Sequence, residues 1–384
     1  MNILYCIPHL YNAGGMERVV TQKINWFVSH TDHTVTVVTT EPTSNGMPDV
    51  YFPLDPRVEV IHLNTDFNAD YAKPLFSKWV GHMRRMRAYR RALEQTIITH
   101  TIDLCISTGG KEIAFLHQLP CRTIAEMHFA KEQRHQLIMA NHRGWLWSIL
   151  GRIRTAQLVR AVQPLERLVV LTEQDKKAWE EAGCTNVQVI ANPCYLDGQK
   201  LPMKSKETTL LTVGRLHEQK GFDLLLRAWS LIETNHPEWT LRIVGDGPKR
   251  AALEQQIKDL HLQHAVLAGG TNHMADEYAE ASLFVLSSRY EGQPLALIEA
   301  MWSGVPCVAF DCKHGPAELL ADGRGWLVPD GDIEALSAQL EYAMTHPQEA
   351  AQRASKAQAY AQEAYSEKNI MPQWLGIINH KFEI

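Results

Sequence analysis

The sequence lacks the long hydrophobic runs that mark membrane-spanning proteins. Among its 384 residues no stretch reaches the roughly 18–20 apolar residues that a transmembrane helix needs. The opening MNILYCIPHL has neither a basic start nor a small-residue cleavage site, so we expect no signal peptide. We expect these first residues to form a β-strand.

Paired cysteines are also absent. The seven cysteines stand singly at positions 6, 105, 121, 184, 194, 307 and 312, without a CxxC pair. This distribution indicates free thiols in a cytosolic protein rather than a disulfide framework, and it fits no common zinc site.

A strong net charge is missing as well. The formal charge is −5 at pH 7, which argues against nonspecific nucleic-acid binding. Its distribution is uneven, since residues 1–200 carry 22 Lys and Arg against 19 Asp and Glu, whereas residues 201–384 carry 16 against 24. The first half is therefore the part suited to an anionic partner or surface.

What the sequence does contain is a repeated alternation of short apolar strands and amphipathic helices. In the first half the strands are NILYCIP, HTVTVVTT, VEVIHL, DLCIST, RTIAEMH and RLVVLT. In the second they are TLLTVGRL, WTLRIV, LFVLSS, PCVAF and GWLVP. Such alternation predicts an α/β protein with doubly wound parallel sheets.

A polar segment with two prolines, NPCYLDGQKLPMKSKET, separates the two halves. We therefore predict two Rossmann-like domains, residues 1–195 and 206–365. Residues 366–384 are expected to form a C-terminal helix that returns toward the first domain. Because ligands of open parallel sheets bind beyond the carboxyl ends of the strands, two such domains would face each other across a binding cleft.

Three turns that follow predicted strands are candidates for this cleft. Gly14 and Gly15, in NAGGMER, could let a phosphate approach the start of a helix, although the dinucleotide pattern GxGxxG is absent. Arg215 and Lys220, in GRLHEQKGF, suit a diphosphate, but an ordinary exposed loop would carry the same residues. The turn VGDGP either lines a nucleotide pocket or simply connects a strand to a helix.

The strongest signal is SSRYEGQPLALIEAMWSGVP. Glu291 follows a strand, Gly292 permits close backbone approach, and Pro294 can open the next helix. Glu299 lies inside that helix in apolar surroundings, where a carboxylate needs a partner. The partner is either a structural ion pair or a pair of sugar hydroxyls, which an acceptor-only carboxylate suits.

Together these motifs resemble family 4 of the retaining glycosyltransferases, which have the GT-B fold. The resemblance rests on GRLHEQKGFDLLLRAW, LRIVGDGPKRAALE, SSRYEGQPLALIEAMWSGVPCVAF and GRGWLVPDGDIEALSAQL, and it extends to YNAGGMERVV and YSEKNIMPQW. Two glutamates separated by seven residues are that family's signature. The resemblance covers nearly all of the second domain.

The resemblance implies a nucleotide-sugar site. Arg215 and Lys220 would hold the donor pyrophosphate, Glu299 the ribose hydroxyls, and Glu291 the donor sugar. The remaining donor contacts would come from Gly14, Gly15 and the segment Gly292, Gln293, Pro294 and Leu295. His128, in AEMHF, matches the family's histidine that reaches the sugar, unless it is a core histidine.

The chemistry expected from this site is metal-independent. Two cations and a helix end can stabilise the negative charge of a departing diphosphate, so we expect no cofactor. The DxD string from Asp330 to Asp332 could bind a metal, but Asp332 more plausibly caps a helix. We favour front-face retention, in which Glu291 orients the sugar and the departing phosphate oxygen takes the acceptor's proton.

The acceptor side is expected in the first domain. Arg84, Arg87 and Arg91 share one face of a predicted helix, and HRGWLWSILGRIR places tryptophans among arginines. These features suit a diphosphate-linked lipid or an anionic membrane, or else they are a solvated helix face and core tryptophans. The chain resembles the bacterial branch that builds capsule, O-antigen and lipid-linked oligosaccharides.

The function expected is transfer of a hexose or N-acetylhexosamine, from a donor that is UDP-linked by family frequency. The acceptor would be a lipid-linked or polysaccharide glycan, and the enzyme would lie at the cytoplasmic face of the cell membrane without binding nucleic acid. A sugar-nucleotide epimerase, a phosphorylase or a non-catalytic nucleotide-sugar sensor could share this fold.

Overall fold

A computed structural model describes residues 1–41, 49–67, 75–131, 144–196, 208–313 and 315–380. The chain forms two compact units, Met1–Ala191 with Trp374–Ile384, and Asn192–Gln373. Residues 192–195, which we had placed in the first domain, thus group with the second unit. We expected residues 366–384 to form a C-terminal helix, and the part of this segment from Trp374 onward groups with the first unit. Most of the predicted linker lies outside the described residues.

The first unit contains a seven-stranded parallel sheet in the order β3-β2-β1-β4-β5-β6-β7. The strands are β1 (Asn2–Ile7), β2 (Thr34–Thr39), β3 (Glu59–His62), β4 (Leu104–Ser107), β5 (Arg122–Glu126), β6 (Arg167–Val170) and β7 (Val187–Val189). Its described helices are α1 (Gly15–His30), α2 (Leu75–Thr99), α3 (Trp145–Val162) and α4 (Glu173–Glu181).

The second unit contains a six-stranded parallel sheet in the order β10-β9-β8-β11-β12-β13. Its strands are β8 (Thr209–Val213), β9 (Thr240–Val244), β10 (Ala265–Gly269), β11 (Leu283–Leu286), β12 (Cys307–Phe310) and β13 (Trp326–Val328). The helices are α5 (Phe222–Ser230), α6 (Arg250–Asp259), α7 (Met274–Glu280), α8 (Leu295–Trp302), α9 (Pro316–Leu320), α10 (Ile333–Thr345) and α11 (Pro347–Ala364). The last helix, α12 (Glu367–Asn379), begins in the second unit and ends in the first.

Burial explains why these segments form strands and helices. All four residues of β4 and of β11 are buried, as expected of strands covered on both faces. Helix α5 buries Phe222, Leu225, Leu226 and Trp229, which lie at the spacing of one helical face. The sequence prediction of two doubly wound parallel sheets is therefore confirmed.

Each sheet has a point where the strand order reverses. In the second unit this point lies between β8 and β11, which pair directly with each other. The chain leaves these two strands in opposite directions across the sheet, so the loops after them enclose a crevice. Crevices of this kind are where open α/β sheets bind ligands.

None of the helices in the described part of the chain is both long enough and apolar enough to cross a membrane.

Candidate functional site

The loops that follow β8 and β11 bring Lys220 and Glu291 together. The Lys220 ammonium lies 2.7 Å from Oε1 of Glu291, and the hydroxyl of Ser288 donates to the same oxygen at 2.6 Å. Glu291 is 5% exposed, so its carboxylate is largely withdrawn from water. The two residues predicted to contact phosphate and sugar therefore lie in direct contact at the reversal point of the sheet.

Further hydrogen bonds hold the two loops against each other. The Arg289 guanidinium donates to both carboxylate oxygens of Asp223, at 2.8 and 2.7 Å, and to the carbonyl of Glu218. Ser287 donates to the carbonyl of Lys220, and Gln219 donates to the carbonyl of Tyr290. Because both strands' loops are tied by side chains and backbone, the positions of Lys220 and Glu291 are fixed before a ligand arrives.

Gly221 is required where the two loops touch. Its φ is +62°, a left-handed conformation, and a Cβ there would lie 2.0 Å from the carbonyl oxygen of Ser287. That distance is far inside a van der Waals contact, and the obstacle is backbone rather than a movable side chain. Glycine at this position thus allows the close approach that the Lys220–Glu291 pair needs.

The VGDGP turn supports the same loop from its other side. A Cβ on Gly245 would lie 2.0 Å from the carbonyl oxygen of Gly214, and a Cβ on Gly247 would lie 2.6 Å from that of Leu216. Leu216 also donates its backbone N–H to the carbonyl of Asp246. Both glycines therefore let this turn pack against the loop that carries Arg215, whose own side chain is exposed.

The backbone segment from Gly292 to Leu295 leads into α8. Pro294 immediately precedes the helix, which begins at Leu295 as expected, and its carbonyl accepts hydrogen bonds from the backbone N–H groups of Leu297 and Ile298. Gln293 is buried, and its side-chain oxygen accepts a 2.9 Å hydrogen bond from the backbone of Asn192. This amide oxygen is thus engaged within the protein, which sequence reasoning did not anticipate.

Glu299 is buried within α8, as its apolar surroundings predicted. The hydroxyl of Tyr278, on α7, donates to its Oε2 at 2.6 Å. A tyrosine therefore supplies a protein partner for one oxygen of this carboxylate, where we had weighed an ion pair against a ribose. The ribose contact of Glu299 stays a prediction.

Gly14 and Gly15 lie at the start of α1, with Gly14 at the cap position. The carboxylate of Glu17 lies close to Gly14, so close that a Cβ added to Gly14 would be 2.1 Å from its Oε2. His9 contacts the other oxygen of Glu17 at 3.1 Å. A side-chain carboxylate thus supplies negative charge at this helix end, and the donor contact of Gly14 and Gly15 stays a prediction.

His128 follows β5 in the first unit and is 8% exposed. Its Nε2 lies 3.1 Å from Oε1 of Glu126 without hydrogen-bond geometry, whereas Lys23 donates a hydrogen bond to that same oxygen. Lys23 and Glu126 are both fully buried. Burial would raise the pKa of the Glu126 carboxyl, but Lys23 and His128 outweigh burial and lower that pKa to about 2. The carboxylate is therefore ionised at neutral pH.

Arg84, Arg87 and Arg91 are all exposed on α2, in agreement with a common basic face. The first half of α3 is also exposed, with Trp145 71% and Trp147 39% accessible, so these two tryptophans are not core residues. Burial, followed by the charges of Lys111, Arg154 and Arg85, lowers the pKa of His82 on α2. Exposed apolar side chains accompany the arginines at Trp79, Val80, Met83, Leu146, Ile149, Leu150 and Ile153.

Asp332 caps helix α10, as predicted, and its carboxylate accepts the backbone N–H of Ala335 at 2.9 Å. Asp330 lies in the preceding turn, where burial raises the pKa of its carboxyl. In the described part of the chain, no cluster of three His, Cys, Asp or Glu residues is arranged to hold a metal ion.

The predicted residues thus fall into two groups. The second unit contains the residues predicted to bind most of the donor, which are Arg215, Lys220, Glu291 to Leu295 and Glu299. The first unit contains Gly14, Gly15, His128 and the three arginines of α2, which are Arg84, Arg87 and Arg91. Sequence reasoning missed the residues that position them, namely Ser288, Arg289, Asp223, Tyr278, Glu126 and Lys23. Glu126 left a local signal, since it stands two residues before His128 and hence on the same side of an extended chain.

The second unit can also be compared with known families. Residues 197–361 match the family model of glycosyl transferases group 1. This glycosyl transferase match lies wholly within the second unit and includes both glutamates, Arg215 and Lys220.

Two of the proteins to which the chain is similar are bacterial glycosyltransferases. An uncharacterized glycosyltransferase of Haemophilus influenzae is 34% identical over 59% of this chain and 65% of its own length. The amylovoran biosynthesis glycosyltransferase AmsD of Erwinia amylovora is 35% identical over 56% of this chain and 62% of its own length. The chain therefore matches slightly less than two thirds of either relative.

A longer match at lower identity is found in Campylobacter jejuni. An alpha-1,4-N-acetyl-D-galactosaminyltransferase, named for a saccharide on PP-undecaprenol, is 26% identical over 89% of this chain and 88% of its own length.

Solved structures resemble the whole chain. TarM of S. aureus, crystallised with UDP, has a TM-score of 0.75 at 16% identity and covers 99% of this chain and 100% of its own. HepE of Anabaena, crystallised with UDP-glucose, has a TM-score of 0.73 at 19% identity and covers 99% of both chains. At these identities the likeness shows the fold, which is the GT-B fold predicted from the sequence.

Replacing Gly221 by Ala tests how the two loops are held. The change adds left-handed strain of about 1–2 kcal/mol and a clash with the Ser287 carbonyl. Gly331→Ala is the matched control, because Gly331 has φ +74° but open space around it. We expect Gly221→Ala to lower the free energy of unfolding clearly more than Gly331→Ala in chemical denaturation. Equal losses would show that the close approach is unimportant.

Proposed function

We propose that this protein is a glycosyltransferase that moves a hexose or N-acetylhexosamine from a nucleotide sugar to a glycan acceptor. The observation that carries the proposal is the contact of partly exposed Lys220 with buried Glu291 at the reversal point of the second sheet, inside the segment that matches glycosyl transferases group 1. A cation for phosphate and an acceptor-only carboxylate for sugar hydroxyls stand side by side there.

The donor is a nucleoside diphosphate sugar, and UDP is the nucleotide we propose. Arg215 and Lys220 bind its two phosphates, assisted by the start of α8, so that no metal cofactor is needed. Glu299 accepts hydrogen bonds from the ribose hydroxyls, with Tyr278 holding its other oxygen. Support for UDP comes from TarM and HepE, which share the fold and were crystallised with UDP or UDP-glucose.

In the donor complex, Lys220 divides its charge between Glu291 and the diphosphate. As the bond to the sugar breaks, negative charge grows on the diphosphate, and Lys220 and Arg215 stabilise that charge. Glu291 then holds the sugar by its hydroxyls, while Ser288 keeps the carboxylate oriented.

We propose that the new bond forms on the face that the diphosphate leaves, with retention of configuration. The departing phosphate oxygen takes the proton of the acceptor hydroxyl, so that bond breaking, bond making and proton transfer balance without a covalent sugar–enzyme intermediate. We also propose that His128 contacts a hydroxyl of the donor sugar.

The acceptor is a lipid-linked or polysaccharide glycan in the synthesis of bacterial surface glycans. This part of the proposal is supported by the names of the relatives, which refer to amylovoran and to a PP-undecaprenol saccharide. The basic face formed by Arg84, Arg87 and Arg91 suits the diphosphate of such a lipid.

Glu291→Gln tests the reaction. The change keeps the size of the side chain but removes the charge that orients the sugar, so we expect kcat to fall by about 100-fold or more. Turnover is measured as sugar transferred from a screened nucleotide sugar to lipid-linked acceptor, with donor and acceptor saturating. The control is Glu349→Gln on α11. The Glu349 carboxylate accepts hydrogen bonds from Tyr342 and Arg353 and is not part of the proposed site.

Near-normal transfer by Glu291→Gln would refute the role of this residue. A reaction of the wild type that converts the donor without any acceptor would instead identify an epimerase. Donor binding without any conversion would identify a sensor.

We further propose that the enzyme docks peripherally on the anionic cytoplasmic face of the cell membrane. The docking surface consists of the exposed apolar residues of α2 and α3, from Trp79 to Met83 and from Trp145 to Ile153, together with Arg84, Arg87 and Arg91. Tryptophan side chains favour the headgroup region, and each arginine near an anionic surface adds about 1 kcal/mol.

Vesicle co-sedimentation tests the docking surface. We expect the wild type to bind vesicles of phosphatidylcholine with phosphatidylglycerol at low salt, and to bind pure phosphatidylcholine weakly. Changing Arg84, Arg87 and Arg91 together to Gln should reduce the affinity by about 100-fold, as should Trp145→Ser with Trp147→Ser. Leu231→Ser and Arg227→Gln, exposed in the second unit, are controls. Absence of binding to the anionic vesicles would refute the proposal.

A further inference from the structure

The first unit contains a buried trio of charged and polar side chains, which are Lys23, Glu126 and His128. Lys23 on α1 and Glu126 at the end of β5 are both 0% exposed, and they form an ion pair through Oε1 of the glutamate. Lysine and glutamate are among the residues least often fully buried, and removing two charges from water is costly. A purely structural contact between α1 and β5 could be made by apolar side chains instead.

The third member of the trio is His128, which lies next to the Glu126 carboxylate. His128 Nε2 lies 3.1 Å from the same Oε1 that accepts the hydrogen bond of Lys23. The ring is not oriented for a hydrogen bond to this oxygen, but the negative charge 3.1 Å from Nε2 favours the tautomer in which Nε2 carries the proton. The other nitrogen, Nδ1, then keeps its lone pair and accepts a hydrogen bond.

The charge of Glu126 is maintained by its surroundings. Burial lowers the pKa of Lys23, and the neighbouring Glu126 opposes that change. The face of the Trp374 ring, on α12, lies 4.3 Å from the Lys23 ammonium and interacts favourably with its positive charge. Carboxylate, ammonium and indole ring thus stabilise one another in a site that excludes water.

We propose that Glu126 is a positioning residue that holds His128 in the Nε2-protonated tautomer, with Lys23 as its counter-charge. This inference rests on the proposed function, because it gives His128 a hydrogen-bond-accepting Nδ1 for a sugar hydroxyl. Glu126 itself acts only through the histidine. The inference adds two residues to the proposed site, Lys23 on α1 and Glu126 on β5.

The test separates positioning from stability by removing the charges together. Glu126→Gln alone leaves the buried ammonium of Lys23 without its carboxylate, so the single variant is expected to lower Tm and can fail to fold. Lys23→Met with Glu126→Gln removes both charges at nearly constant volume, and we expect it to recover most of the lost Tm. The Gln side chain can donate to Nε2, so the double variant should change the tautomer.

The readouts are the ring ¹⁵N shifts of His128 by NMR and the steady-state kcat and KM of the transfer reaction. In the double variant we expect Nδ1-protonated His128 and a kcat lower by about 10- to 100-fold, as for misplaced catalytic groups. The control is Arg122→Met with Glu166→Gln, which removes a different ion pair, between Arg122 on β5 and Glu166. The control should leave the His128 tautomer unchanged.

Two results would overturn the inference or its basis. A double variant with normal Tm, unchanged tautomer and unchanged kcat would show that the ion pair only supports the fold. A changed tautomer with unchanged kcat would uphold the positioning by Glu126 and refute the role given to His128 in the proposed function.

Discussion

The contact between Lys220 and Glu291 is the interaction on which the candidate site depends. The two residues are 71 positions apart, and only the pairing of β8 with β11 brings their loops together. The two loops are held together by hydrogen bonds from the side chains of Arg289, Ser287 and Gln219. The absence of a side chain at Gly221 lets the loops approach closely enough for this contact. Because a lysine and a largely buried glutamate neutralise each other, the site can keep both charges ready in the absence of ligand. A diphosphate sugar then offers each of them a second partner.

A related arrangement occurs in the first unit, where Lys23 neutralises Glu126 beside His128. In both units a lysine is paired with a glutamate near the carboxyl end of a parallel strand. In the second unit that glutamate is itself the residue proposed to bind the sugar, whereas in the first unit the proposed sugar contact is the neighbouring His128. The environments differ, since Lys23 is fully buried whereas Lys220 remains partly exposed and can reach a ligand. The first pair therefore fits a positioning role and the second a binding role.

Much of the fold could be predicted from the sequence, because buried parallel strands are short apolar runs between glycine turns and amphipathic helices. The sequence analysis missed two strands, β7 and β10, which both lie at sheet edges. In β10, exposed residues alternate with partly buried ones, so the strand has no continuous buried apolar run. The residues of EGQPLALIEA were predictable, but their partners were not, since Ser288, Lys220 and Tyr278 meet them only through the fold. Lys23 lies within an ordinary amphipathic helix, where lysine usually indicates the solvent face. The sequence also left the tryptophans of α3 open between core and surface, which only their exposure decides.

The central claim is that Lys220 binds a diphosphate and that Glu291 competes for it when no donor is present. Calorimetric titration with UDP and UMP tests this claim in the wild type, Lys220→Ala and Glu291→Gln. The account predicts that Lys220→Ala weakens UDP binding by at least about tenfold and leaves UMP binding nearly unchanged, whereas Glu291→Gln binds UDP as tightly as the wild type or more tightly. Equal affinity of Lys220→Ala and the wild type for UDP would contradict it.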